Sequence, residues 1–163
     1  DETAAAIGRL GAAPAVTIAD YQDMQAVARS VEEAAKALGG IDILINNAGT
    51  MMGRVKIADL SDDHLAAVLD LNARSVAVAS RTALPYLLKA EHGAIVNTTS
   101  IAARSGGAAG AGVYAAAKGF VSTFTRALAT EIVETGIRVN AVSPGFIHTD
   151  FHRRYSTPER VQS

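Results

Sequence analysis

Four short apolar runs, rich in β-branched residues, recur along this chain with room for a helix between each pair: APAVTI (13–18), IDILIN (41–46), AIVNTT (94–99) and IRVNAVS (137–143). Runs of this length and composition read as strands. IDILIN is almost unbroken in apolar side chains, the pattern of a strand covered on both sheet faces. The intervening segments have helical spacing instead. Met24, Val27, Val31, Ala34, Ala35 and Leu38 recur along 21–38, behind Asp20 at the N-cap position and ahead of a Gly39-Gly40 C-cap pair. Ser61, Asp62 and Asp63 open a second helical region with acidic charge at its positive end. That region continues, with a break near Asn72, to about Ala90, and a third helix runs from about Val113 to Thr135. Strand, helix, strand, long helix, strand, helix, strand predicts right-handed crossovers and a parallel sheet between helical layers. The fold class is α/β, with 1–163 as one domain.

Composition narrows the function classes. With 49% apolar and 19% charged residues the chain is globular, and 163 residues suffice to bury a core. A formal net charge of −1 gives no electrostatic reason to expect nucleic acid or an anionic membrane as partner. The absence of cysteine excludes disulfides and thiolate metal sites. No apolar run approaches the ~20 residues of a membrane span and no signal peptide opens the chain, so a cytoplasmic location is expected.

In open parallel sheets, ligands bind beyond the carboxyl ends of the strands. Asn46-Asn47-Ala48-Gly49 ends the second strand, Ser100 the third and Pro144-Gly145 the fourth, while Tyr114 begins a helix in the same layer. Singly, each is an ordinary set of turn residues. Their coincidence at three strand ends points to a site.

Five segments in order, NNAG (46–49), LN (71–72), IVNTTS (95–100), YAAAK (114–118) and RVNAVSPG (138–145), together resemble the short-chain dehydrogenase/reductase family. The resemblance covers nearly the whole chain. It is closest in flavour to 3-oxoacyl carrier-protein reductases and glucose or ribitol dehydrogenases. It implies a Rossmann-type, doubly wound parallel sheet, a nicotinamide cofactor (NAD or NADP), and hydride transfer between that cofactor and an alcohol or carbonyl substrate. Its usual homodimer or homotetramer would form through helices 73–90 and 113–135.

The side chains suit that chemistry. Carbonyl reduction needs a proton at the developing alkoxide, and a free tyrosine, with pKa about 10, is a poor base at neutral pH. An ammonium one helical turn away, as Lys118 is from Tyr114, stabilises the phenolate and is expected to lower that value. By resemblance Tyr114 is the general acid/base, Lys118 also holds the nicotinamide ribose, and Ser100 donates to the substrate oxygen. Ser100 stands fourteen positions before Tyr114, one more than in many members, which leaves Thr99 as the alternative. Asn72 matches a residue that helps hold a relay water behind the lysine, and its other role is a helix-breaking Asn bonded to the backbone.

The resemblance also assigns cofactor contacts. Asn46, Ala48 and Gly49 match the segment beneath the adenosine and nicotinamide ribose, where glycine permits close backbone approach. Asp20 matches the acidic residue that meets the adenine amino group, a role compatible with helix capping. Pro144, Gly145, Ile147 and Thr149 resemble the segment facing the carboxamide and pyrophosphate.

The family's glycine fingerprint, expected in a first strand-to-helix turn, is not found there. Ser105, Gly106, Gly110 and Gly112 fit its spacing but lead into the tyrosine helix, so a flexible substrate-side loop is the expectation. Two strands between APAVTI and IDILIN in the family's sheet order are lacking, and the family's last helix and strand do not follow. The chain is therefore expected to be an internal portion of a longer enzyme, its sheet incomplete at both ends. The alternative is a non-catalytic family member, truncated or kept for its dimerisation helices. His148 and His152 have metal-ligand spacing without a third partner, so no metal is assigned, and Arg153-Arg154 reads as a solvated turn.

Overall fold

The computed structural model describes residues 2–147 and 149–155. Its sheet has three parallel strands, β1 (Ile43–Asn46), β2 (Ala94–Thr98) and β3 (Arg138–Val142), hydrogen-bonded in that order. Ile43 is level with Ala94 and Asn46 with Asn97, while Ala94 is level with Arg138 and Thr98 with Val142. With the strands parallel and in step, the residues after Asn46, Thr98 and Val142 emerge together at one edge.

The helices are α1 (Glu2–Arg9), α2 (Met24–Leu38), α3 (Asp62–Leu69), α4 (Ser75–Leu87), α5 (Ala102–Ser105), α6 (Gly112–Glu131) and α7 (Asp150–Tyr155), with 3-10 turns at Ile57–Asp59 and Val133–Thr135. Helices α2, α4 and α6 cover one face of the sheet. Val27, Ala83, Leu87 and Ile95 are wholly buried there. Burial of each larger side chain contributes roughly 1.5–3 kcal/mol. A smaller cluster of Met51, Val68, Ala102, Ala111, Tyr114 and Ala115 lies between α3, α5 and α6. It supports the carboxyl edge of the sheet.

Several expectations need correction. Residues 13–18 form no strand, and Ile18 is 97% exposed. A strand needs a ladder neighbour, and the described sheet offers none to this segment. Asp20 is not the cap of α2: its carboxylate accepts from the Gln22 amide at 2.9 Å, whereas Asp23 accepts from the Gln25 amide at 2.8 Å. The helix therefore starts three residues later than its periodicity suggests, and ends as expected with Gly39 at φ 79°. β1 is covered on one face only. Leu44 and Asn46 face the helices, but Ile43 and Ile45 are 61% and 64% exposed, because no second helical layer is present among the described residues.

The break near Asn72 is a π turn, Asp70–Arg74, joining α3 to α4. Such single turns of wider helix re-aim a side chain without ending the rod. The tyrosine helix closes slightly early, at Glu131, and a 3-10 turn completes the segment to Thr135. The glycine-rich stretch is less loose than its composition implies. It begins in α5, and its Gly110 carbonyl accepts from the Val55 amide at 3.1 Å. Arg153 and Arg154 fall within α7 and not in a turn. His148 and the His152 side chain lie outside the described residues, as do 156–163.

Candidate active site

Tyr114 sits in the first turn of α6 and Lys118 one turn on, so both point toward the carboxyl edge of the sheet. The phenol is 9% exposed and the lysine 3%. Lys118 Nζ donates to the Thr98 carbonyl at 2.8 Å and stands 5.8 Å from the centre of the Tyr114 ring, within cation–π range. The last residue of β2 therefore fixes where the ammonium lies.

Ser100, two residues beyond β2, stands close enough to Tyr114 for its hydroxyl to favour the ionised phenol. Its hydroxyl also accepts from the Ala102 amide at 3.2 Å, which orients it at the entry to α5. Thr99 is turned inward: it is buried and donates to the Lys118 carbonyl at 2.9 Å. The Thr99 hydroxyl is thus taken up by the helix backbone, whereas Ser100 stands beside Tyr114.

Burial raises the Tyr114 phenol above its ordinary pKa, with the Ser100 hydroxyl opposing. Burial also lowers the Lys118 ammonium from 10.5 to about 8. The expected depression of the phenol by the ammonium is therefore not the dominant effect. Both groups lose water on folding, and Lys118 directs a proton at Thr98, so desolvation outweighs their mutual attraction.

Asn72 stands in the π turn, fully buried. Its amide donates to the Thr50 carbonyl at 2.8 Å and to the Val68 carbonyl at 2.9 Å, tying the β1 exit loop to α3. The backbone-bonding role expected of such an Asn is real. Its Oδ1, however, is buried with no hydrogen-bond partner among the described residues. A Cβ on Gly49 would lie 2.7 Å from that oxygen and 3.1 Å from Lys118 Nζ. Glycine at 49 accordingly makes room for these two side chains, a use distinct from ligand approach.

The remaining sequence candidates divide. The Asn46 side chain is turned into the core, donating to Asn97 Oδ1 at 2.8 Å and to Ser80 Oγ at 3.1 Å. Asn97 donates in turn to Thr125 Oγ1 at 2.9 Å. This buried network pins β1 to β2, α4 and α6. Ala48 and Asn46 line a cavity of about 50 Å³ with Tyr21, Ser75 and Val76. Pro144 accepts from the Ile101 amide at 3.1 Å, which joins the β3 exit to the Ser100 loop. Gly145, Ile147 and Thr149 follow on the exposed side of that exit. A cavity of about 450 Å³ lies at the opposite end of β1, between the last turns of α2 and α4, and none of these candidates lines it.

Residues of the 148–163 segment, which by resemblance begins the family's substrate loop, also reach the site. The Phe151 ring of α7 lies 5.7 Å from the Tyr114 ring at 42°, and the Thr50 hydroxyl donates to the Tyr155 phenol oxygen at 2.9 Å. A buried phenol with a serine hydroxyl beside it and a desolvated lysine one turn behind is an arrangement able to hold or deliver a proton.

Residues 1–160 match the family model described as short chain dehydrogenase.

The chain belongs to the short-chain dehydrogenase family.

Among known members of this family, it is 32% identical over 159 residues to a 3-oxoacyl-[acyl-carrier-protein] reductase of Vibrio cholerae, covering 95% of this chain and 62% of that protein. In three dimensions it is similar to a short-chain dehydrogenase from Burkholderia cenocepacia in complex with NADP (TM-score 0.86, 39% identity, 92% of this chain and 60% of the other). It is likewise similar to the NADH-dependent reductase A1-R' complexed with NAD (TM-score 0.83, 35% identity, 89% and 62%). The chain thus spans about three fifths of the length of these short-chain dehydrogenase relatives. Their Rossmann-type architecture agrees with the parallel α/β sheet seen here, of which three strands are present. Among the described residues no helix is long and apolar enough to cross a membrane.

Proposed function

We infer that this chain carries the proton-transfer half of a nicotinamide-dependent oxidoreductase that interconverts a small alcohol and its carbonyl. The observation that carries this inference is the Ser100–Tyr114–Lys118 arrangement: a buried phenol, a serine hydroxyl beside it, and a buried ammonium one turn away. Tyr114 would give its proton to the developing alkoxide in reduction and take one in oxidation. Ser100 would donate to the same substrate oxygen and position it. Lys118, fixed by Thr98, would favour the phenolate as the proton leaves.

The residues present fit a nicotinamide cofactor, which when bound supplies or accepts the hydride. Asn72 offers a buried acceptor without a partner among the described residues, and Lys118 has ammonium protons beyond the one given to Thr98. Gly49 carries no side chain between them. Asn46, Ala48, Gly49, Pro144, Gly145, Ile147 and Thr149 would line it through the strand exits, with Asp20 toward the adenine. Relatives are known with NAD and with NADP, so both belong to the proposal. A second copy of the chain would meet α4 and α6, where Phe120 stacks on Phe124 and stays 45% exposed.

Titration of the purified full-length protein into NADH and NADPH, followed by nicotinamide fluorescence, tests this reading. Binding of one or both is expected, and binding of neither would sink it.

A further inference from the structure

The β1 exit loop holds contacts that proton transfer does not require. Arg54 reaches in two directions: Nε donates to the Tyr155 carbonyl at 2.6 Å and Nη1 to the Ala109 carbonyl at 3.2 Å. One acceptor belongs to α7 and the other to the glycine-rich loop. The loop is pressed against the same segment, since a Cβ on Gly110 would stand 2.9 Å from Arg54 Cβ. Two residues earlier, Met52 has φ 59°, a left-handed conformation that carries about 1–3 kcal/mol of strain in a non-glycine residue. Structure on both sides holds it there. Thr50 contacts the Tyr155 hydroxyl, and its own carbonyl accepts from Asn72. On α7 the Tyr155 and Phe151 rings meet edge-on at 5.1 Å, and Phe151 lies against Tyr114.

We propose that Arg54 is a positioning residue that latches α7 across the candidate active site, so that Phe151 and Tyr155 wall the space beside the Tyr114 phenol. A helix of six residues is too short to persist on its own and depends on tertiary anchors. Two carbonyls from separate segments suit the planar fork of a guanidinium, whereas a lysine ammonium on its flexible stem cannot reproduce that fork. The wall is aromatic and uncharged, so it favours an apolar group over a charged one on the reacting carbon. The latch stands on the contacts alone. Its effect on turnover rests on the oxidoreductase reading above.

Limited trypsin digestion of wild type, R54A and R54K, with mass spectrometry of cleavage after the exposed Arg154, reads the latch without any substrate. Cleavage is expected to be about fivefold faster in R54A and intermediate in R54K, because proteolysis tracks the open population. An unchanged rate in R54A overturns the latch. Steady-state reduction of 2,3-butanedione, a small ketone with methyl groups beside its carbonyls, reads the consequence. KM is expected to rise about tenfold in R54A with kcat falling less, and with NADH affinity and melting temperature nearly unchanged. Faster cleavage with an unmoved KM overturns the positioning role, as does loss of cofactor affinity and melting temperature in step with KM. If full-length wild type binds no cofactor, the oxidoreductase reading fails, and the cleavage rates alone decide the latch.

Discussion

Lys118 donates its ammonium proton to the carbonyl of Thr98, the last residue of the central strand, at 2.8 Å. That bond sets the lysine's height above the sheet, and through the helix it sets where Tyr114 meets Ser100. It also has a measurable electrostatic consequence.

Burial lowers the Lys118 pKa from 10.5 to about 8. Between these values the unfolded chain binds more protons than the folded one, so stability rises as pH increases through this window. The full effect is on the order of 3 kcal/mol, and it is reached only near the unfolded value. Above pH 10 the raised Tyr114 phenol works the other way, since the folded chain then holds the extra proton. Thermal melts from pH 7 to 10 should show a stability gain in wild type that is flattened in Lys118→Met. Parallel curves for the two proteins would mean that the lysine is not desolvated as described.

Ser100 and Thr99 separate cleanly by readout. Ser100→Ala should lower kcat about 100-fold, the loss typical of one donor at a reacting oxygen, with little change in melting temperature. Thr99→Val should do the reverse, costing about 1 kcal/mol for the lost bond to the Lys118 carbonyl. Urea unfolding and steady-state kinetics on the two variants check both outcomes together.

Gly49→Ala places a methyl 2.7 Å from Asn72 Oδ1 and 3.1 Å from Lys118 Nζ. Both side chains are buried, so neither moves freely, and a destabilisation of about 1–3 kcal/mol is expected from overpacking. Lower cofactor affinity should accompany it. A variant that melts and binds like wild type would show that the two side chains yield without cost.

Much of this was legible in the sequence because the signals are local. The runs at 41–46, 94–99 and 137–143 are strands, wholly or in part, since each has a parallel neighbour within the sheet. The run at 13–18 has a similar composition and no neighbour among the described residues, so it stays outside the sheet and exposed. Strand formation depends on pairing, which composition does not encode. Asn72 announced a break in its helix, but only packing shows that the break is a π turn aimed at Thr50. Tyr114, Lys118 and Ser100 were recognisable by order and spacing. Thr98 and Arg54 were not, because one acts through its backbone carbonyl and the other through a contact 101 residues away in sequence.

The most direct test of the account is Tyr114→Phe, which removes one hydroxyl and keeps the ring that Phe151 contacts. Carbonyl reduction should fall by about 10²–10⁴ in kcat, the range expected for a lost general acid, while NADH or NADPH binds within about twofold of wild type. A variant that binds cofactor and retains most of its rate would contradict the assignment of Tyr114 as the proton donor.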